Sequence, residues 1–120
     1  MIDETNIIEV VRAAANKRIL FLPHAIRQMS RPDRMITTAD VRRIIFNGEV
    51  IEDYPEDARG HSCLMLGRDD GGRSIHIVCS PKNEYLAIVT AYLPDEEPQV
   101  DSIQAAIRAI DVQAKRIASV

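Results

Sequence analysis

The sequence predicts an α+β fold with an antiparallel sheet. Apolar residues recur at helical spacing up to residue 47, and four extended runs follow residue 48. The links between these runs are short and rich in Pro, Gly, Asp and Asn, which is typical of antiparallel connections rather than of parallel crossovers. Because the helical patterns are grouped ahead of the strands, we expect N-terminal helices packed on one face of a four-stranded antiparallel sheet.

Two helical patterns and a short extended run open the chain. Apolar residues at helical spacing behind an acidic start predict a first helix over residues 4–16. Residues 18–22 form a short extended run. Pro23 suits the first position of a second helix, and we expect Pro32 to end that helix.

A third helix is marked at both ends. Thr37 is the expected N-cap, and Asp40 stands three residues later, where it can complete a capping box. Asn47 and Gly48 supply the stop signal. We therefore expect this helix to begin just after Thr37 and to end before the first strand.

After Gly48 the apolar period changes from helical to extended. Four strands are expected, at residues 49–54, 62–68, 73–80 and 85–93. We therefore expect one α+β domain over residues 1–97 and an amphipathic C-terminal helix over residues 98–120. That helix either belongs to the same domain or serves as an oligomerisation element.

The expected C-terminal helix has an apolar stripe, formed by Ile103, Ile107, Ile110, Ala114 and Ile117. Each branched side chain left exposed would forfeit about 1.5–3 kcal/mol of burial, so we expect the stripe to be covered. The chain's own sheet and a second copy of the chain are the two candidates for that cover. The extended, proline-bearing linker over residues 94–98 favours the second copy, in a homodimer.

Length and composition restrict the class of protein. The chain has 120 residues, 46% of them hydrophobic, which suffices for one domain with a core. Its start lacks a signal-peptide pattern, and no apolar run approaches the roughly 20 residues that cross a bilayer. We therefore expect a soluble cytoplasmic protein. The net charge of −3 gives no general attraction to nucleic acid, although residues 17–43 hold seven basic and two acidic residues.

The sequence contains two cysteines, Cys63 and Cys79. We expect reduced, buried thiols, with a disulfide between neighbouring strands as the alternative. His61 and His76 precede the cysteines closely and suggest two pairs of metal ligands. However, His76 and Cys79 are three positions apart, an odd number, so their side chains should lie on opposite faces of a strand. We therefore expect no metal and no cofactor.

A first candidate site lies on the helix that begins at Pro23. At about 100° per residue, His24, Arg27 and Arg31 fall within a narrow arc opposite the apolar side of the helix. The positive end of the helix dipole should keep His24 neutral near pH 7, so that it can accept a proton beside a bound anion. The alternative interpretation is a solvated polar helix face.

A second candidate site lies on the last two strands. Thr90 and Tyr92 share one face of their strand, and His76 points away from the more apolar face of the preceding strand. The pairing register decides whether His76 lies on the same side as Thr90 and Tyr92. The alternative is a histidine with a purely structural hydrogen bond.

Several short motifs carry a family resemblance. In chain order they are His24-Ala25 followed by Met29, Arg34-Met35-Ile36-Thr37, Asp40-Val41, Gly48-Glu49-Val50-Ile51, His76-Ile77-Val78 and Val89-Thr90-Ala91-Tyr92. Over residues 19–95 the chain resembles a family of small bacterial domains of unknown function. That family is similar to RelE/ParE-type toxins and, more loosely, to barnase-like ribonucleases. The chain departs from the family pattern at Gln28, where arginine is usual, and at Met35, where glycine is usual.

The resemblance implies a curved antiparallel sheet and metal-independent RNA cleavage by histidine and arginine side chains. In this scheme His24 or His76 takes the proton of the 2′-hydroxyl, and the other histidine or Tyr92 protonates the leaving group. Arg34 is the fourth catalytic candidate and would stabilise the charge of the phosphorane together with Arg27 or Arg31. The residues expected to bind the phosphate are Arg27, Arg31 and Thr90. The alternative function is a noncatalytic protein-interaction module of the same fold. The implied partners are RNA, an antitoxin-like protein and a second copy of the chain.

Overall fold

A computed structural model of the chain describes residues 6–58 and 60–94. Three helices and five strands occur in this part of the chain. In sequence order they are α1 (Asn6–Lys17), β1 (Ile19–Phe21), α2 (Pro23–Met29), α3 (Thr38–Asn47), β2 (Glu49–Tyr54), β3 (Ser62–Arg68), β4 (Ser74–Pro81) and β5 (Leu86–Tyr92). The α+β class is confirmed, and the four strands after α3 lie within one residue of their predicted bounds.

The sheet has five strands in the order β1-β5-β4-β3-β2. Strands β2 to β5 form the expected antiparallel meander. The prediction of a four-stranded, purely antiparallel sheet is wrong, because β1 adds a fifth strand that runs parallel to β5, from Ile19 opposite Leu86 to Phe21 opposite Ile88. β1 has only three residues, and its partner strand lies at the far end of the domain. The local sequence signal is therefore too weak to predict a strand there.

The helices and the sheet share one hydrophobic core. Buried side chains of α1, α2 and α3 pack together with those of the strands that point toward them, such as Ile75, Ile77 and Ile88. α1 contacts β4 and β5, α3 contacts β3, and α2 contacts β5. This side of the sheet, which we call the first face, also carries the two cysteines.

The opposite side of the sheet carries a second buried cluster. Leu64, Val78, Val89 and Tyr92 form it, and Leu22 and Tyr54 pack against its margin. The register aligns Leu64 with Val78 and His76 with Tyr92, so these side chains share what we call the second face. The sheet therefore has apolar clusters on both faces.

The second and third helices differ in how well the sequence predicted them. The capping box of α3 is confirmed: the Thr37 amide donates to Asp40 Oδ2 and the Asp40 amide donates to Thr37 Oγ1, each over 3.0 Å. α2 ends at Met29, with Ser30 as its C-cap, rather than at Pro32 as predicted. The Met29 carbonyl accepts from the Ile36 amide over 3.0 Å, so the last residue of α2 bonds to the loop that follows and not to a further helical turn.

The predicted helix over residues 98–120 lies outside the described residues. So do the end of the predicted domain after residue 94 and the first two residues of the predicted first helix. Within the part of the chain that is described, no helix is long and apolar enough to cross a membrane.

Candidate functional site

His24 lies in the first turn of α2 and is half-buried. Burial lowers the pKa of His24 below its ordinary value, and the positive charges of Arg27 and Arg34 lower it further. Both effects favour the neutral imidazole. Desolvation is the largest cause of the shift in this pKa, whereas the sequence argument rested on the helix dipole alone.

Arg34 is the most deeply placed charged side chain of this region, with 1% of its surface exposed. Its guanidinium donates to Gln28 Oε1 over 2.6 Å, so Gln28 provides a partner for a buried cation. The Arg34 carbonyl accepts from Arg73 Nη1 over 2.5 Å, which ties the loop after α2 to the start of β4. We call His24, Arg27, Gln28 and Arg34 the α2 group.

Arg31 does not lie on α2, although the sequence predicted that it shares a helical arc with His24 and Arg27. Because α2 ends at Met29, Arg31 lies beyond the helix and off the predicted arc. Its guanidinium is paired with Asp33, at 2.9 Å between Nη2 and Oδ2, and both side chains are about half exposed. The structure thus shows Arg31 in a local ion pair, and its phosphate-binding role stays a prediction.

The register settles the relation between His76, Thr90 and Tyr92. His76 is opposite Tyr92 and Val78 is opposite Thr90, so all three candidate side chains share the second face. His76 Nδ1 lies 3.3 Å from the Tyr92 hydroxyl, and the two rings meet edge to face with centroids 5.3 Å apart. Both residues are almost completely buried, at 6% and 2% exposure.

Burial also lowers the pKa of His76, and the carboxylate of Glu52 opposes this shift in part. The net shift favours the neutral imidazole. A neutral imidazole has one nitrogen that donates and one that accepts, so the contact with Tyr92 determines which nitrogen is left for another partner.

Two residues of the second face were missed in the sequence. The Tyr54 hydroxyl donates to the Glu52 carboxylate, and burial together with this hydrogen bond raises the pKa of Tyr54. Glu52 is exposed and Tyr54 is half-buried. Their spacing of two residues on a strand was the available signal, since it places both side chains on one face. We call Glu52, Tyr54, His76, Thr90 and Tyr92 the sheet group.

The two cysteines lie on the first face, away from the sheet group. Cys63 and Cys79 are directly opposite each other with their sulfurs 3.8 Å apart, and both thiols are free and buried as expected. The neighbouring thiol and burial raise the pKa of Cys79. His61 contacts Asp53 instead of a cysteine. Among residues 6–58 and 60–94, no three His, Cys, Asp or Glu side chains are arranged to hold a metal ion.

These features define a small α+β domain with helices on the first face of a mixed sheet and a polar, histidine-containing group on the second. The chain belongs to the family described as Domain of unknown function (DUF4258), whose model matches residues 21–93. This range is close to the predicted extent of the resemblance and includes every residue of the α2 and sheet groups. Neither the search of curated proteins nor the search of solved structures found a match.

Proposed function

We propose that this domain is a toxin-like endoribonuclease that cleaves RNA without a metal ion, as its resemblance to RelE/ParE-type toxins implies. The observation that carries the proposal is the neutral, buried His76 in contact with Tyr92 and within the electrostatic influence of Glu52. A proton acceptor and a hydroxyl donor on one sheet face are the groups that acid–base cleavage of RNA requires.

The proposed reaction starts with His76. When Nδ1 carries the ring proton and donates it to the Tyr92 oxygen, Nε2 has the free lone pair that takes the proton of the 2′-hydroxyl. The 2′-oxygen then bonds to the adjacent phosphorus and the bond from phosphorus to the 5′-oxygen breaks. The Tyr92 hydroxyl gives its proton to the leaving 5′-oxygen, so the products are a 2′,3′-cyclic phosphate and a 5′-hydroxyl. His24 is the alternative proton carrier.

The α2 group belongs to a helix that packs on the first face, so it forms a second candidate set, in which His24 is the proton carrier and the arginines stabilise the phosphate. Arg34 is buried and fixed by Gln28, so it would need little reorganisation to stabilise the charge that develops on the phosphorane oxygens. Arg27 is exposed beside His24 and can approach the phosphate from solvent. Thr90 shares the second face with His76 and offers a hydroxyl donor.

The test is cleavage of a fluorescent RNA oligonucleotide by the full chain in the presence of EDTA. His76→Ala should lower the rate about 100-fold or more if His76 is the general base. His61→Ala is the matched control, because His61 contacts Asp53 outside the α2 and sheet groups and its loss should leave the rate unchanged. A 2′-deoxy substitution at the scissile nucleotide should stop cleavage and abolish the cyclic phosphate.

Full activity in a folded His76→Ala variant would overturn the assignment of the base, and the same assay on His24→Ala then tests the other histidine. Absence of RNA cleavage by the unmodified chain, with no bound partner, would instead favour the noncatalytic protein-interaction module. That second function is supported by exposed apolar side chains near the α2 group. Ile26, on α2, is 42% exposed, and Met35, directly after Arg34, is 70% exposed.

A further inference from the structure

The outer edge of β2 has no neighbouring strand among residues 6–58 and 60–94. β2 is the last strand in the order β1-β5-β4-β3-β2, and in this part of the chain it pairs on one side, with β3. An edge of this kind presents backbone N–H and C=O groups with which a further strand can pair. Most side chains of the strand are exposed, namely those of Glu49, Ile51, Glu52 and Asp53.

A groove of about 580 Å³ lies beside this edge, between α1 and β2. Ile7 and Ile8 line it from the helix, and Val50 and Ile51 line it from the strand. Ile51 is 40% exposed and has no opposite residue on β3, since the register shifts between Val50 and Glu52. The edge therefore offers apolar contacts in addition to backbone hydrogen bonds.

The charge of the groove restricts which strand can dock there. Three carboxylates line it, those of Glu49, Glu52 and Asp53, together with one cation, Arg12. The Arg12 guanidinium donates to two backbone carbonyls at the end of α3, over 3.0 Å and 2.9 Å, so it is held within the fold. Two copies of β2 paired edge to edge would bring carboxylates against carboxylates, which is destabilising. A basic strand is therefore favoured over a second copy of the chain.

We propose that the outer edge of β2 is the docking site for an extended, basic segment of a partner protein, which adds a sixth strand to the sheet. The backbone of the segment pairs with β2. Its lysine or arginine side chains meet the three carboxylates, and its alternate apolar side chains enter the groove beside Ile7 and Ile8. The six residues of β2 span about 20 Å, which matches a segment of about six residues. Docking at this edge does not require the sheet group to be catalytic.

The test is an NMR titration of the full chain with a synthetic peptide of about seven residues in which lysine and valine alternate. Shifts of the β2 amides are expected, with nuclear Overhauser effects (NOEs) between the backbones of β2 and the peptide. Glu49→Lys should weaken binding about fivefold, because an attractive cross-strand pair becomes repulsive. Glu49 is chosen because Glu52 and Asp53 already contact other side chains. Glu84→Lys is the matched control, since it makes the same change of charge in the exposed link between β4 and β5 and should leave the affinity unchanged.

A second peptide separates strand addition from simple attraction between opposite charges. Alternating lysine and proline keeps the charge but removes backbone donors, so this peptide should bind about tenfold more weakly. Equal affinity for the two peptides, or equal weakening by Glu49→Lys and Glu84→Lys, would overturn the proposal.

The same measurements detect other states of the edge. Absence of binding by the lysine–valine peptide, or shifts confined to regions other than β2 and the groove, would mean that the charges and the register shift only protect this edge from pairing. NOEs between two copies of β2, in a mixture of isotope-labelled and unlabelled chains without peptide, would assign the edge to a second copy. Each of these results would also overturn the proposal.

Discussion

One residue of this domain, Met35, has a backbone conformation that is locally unfavourable and that the tertiary structure imposes. Met35 has a positive φ of 50°, a conformation that costs a residue with a side chain about 1–2 kcal/mol. The backbone is held there from both sides: the Met35 amide donates to the Arg31 carbonyl over 2.9 Å, and the Met35 carbonyl accepts from Arg73 Nη2 over 3.3 Å. Glycine at this position would adopt the same conformation without the steric cost.

Met35→Gly is therefore expected to raise the free energy of unfolding by about 0.5–1 kcal/mol, after the greater chain entropy of glycine is subtracted. The measurement is urea denaturation followed by circular dichroism. Met35→Ala removes the same exposed side chain but keeps Cβ, so it should leave stability within about 0.5 kcal/mol of the unmodified chain. Equal stabilisation by both substitutions would show that the exposed methionine, not the backbone, is the source of the effect.

The two candidate histidines make stability depend on pH in a defined direction. Burial lowers the pKa of both His24 and His76 in the folded state, so the unfolded chain takes up protons first as the pH falls below 6.5. The two histidines should leave the free energy of unfolding at its highest above this pH. As the pH falls below 6.5 the free energy of unfolding should decline, and the part of the decline that these histidines cause should end below their folded-state pKa values. Arg27 and Arg34 strengthen the effect at His24, and Glu52 weakens it at His76.

His76→Gln should reduce the loss of stability between pH 7 and pH 5, measured by urea denaturation at each pH. His24→Gln should reduce it independently, and the double variant should reduce it most. A decline as steep in the double variant as in the unmodified chain would mean that neither histidine is protonated on unfolding in this range.

At the scale of elements, α3 and β3 approach each other so closely that one position excludes a side chain. A Cβ at Gly67 would lie 2.6 Å from Ile44 Cγ2 and 2.7 Å from Ile44 Cγ1. These atoms belong to a fully buried isoleucine that is packed between the helix and the sheet. The close approach of α3 and β3 therefore requires glycine at position 67.

Gly67→Ala should lower the free energy of unfolding by about 1–3 kcal/mol, because a buried β-branched side chain cannot move aside without strain. In an Ile44→Ala background the same substitution should cost less, since the two Cγ atoms are gone, and a double-mutant cycle measures this coupling. Gly71→Ala is the control and should be tolerated, because its Cβ would meet only Asp69 Oδ1, at 3.6 Å. Additive effects of the Gly67 and Ile44 substitutions would contradict the proposed contact.

At the scale of the whole molecule, charge is distributed unevenly on an acidic domain. The net charge is −3, yet the α2 group contains Arg27 and Arg34 beside a neutral histidine. Acidic residues concentrate on β2, which forms one edge of the sheet. Long-range attraction of RNA is therefore weak, and any binding of phosphate depends on a few local cations.

Arg27→Glu should weaken the binding of inorganic phosphate or a short oligonucleotide, measured as the chemical-shift changes of the α2 amides in an NMR titration. Arg31→Glu is the matched control, because Arg31 is already neutralised by Asp33 and lies beyond α2, so a smaller effect is expected. Shift changes confined to regions other than α2 and its following loop would place the anion site elsewhere.

The sequence by itself determined the features that depend on neighbours along the chain. The capping box at Thr37 and Asp40 sets the start of α3, and the alternation of side chains sets the bounds of β2 to β5, because these signals act within a few residues. Short links between the strands likewise determined the antiparallel meander. The free, buried state of Cys63 and Cys79 also followed from composition and context.

Only the tertiary structure decided the features that depend on distant parts of the chain. The pairing of β1 with β5 joins the two ends of the domain, and the register that unites His76 with Tyr92 depends on a shift between Val78 and Cys79 that no local pattern specifies. Glu52 and Tyr54 entered the candidate site because the one intervening strand, β3, sets their distance from His76. Arg34 became a buried cation because Gln28 provides a hydrogen-bond acceptor in the folded state. Spatial proximity of this kind is set by packing, which sequence spacing does not encode.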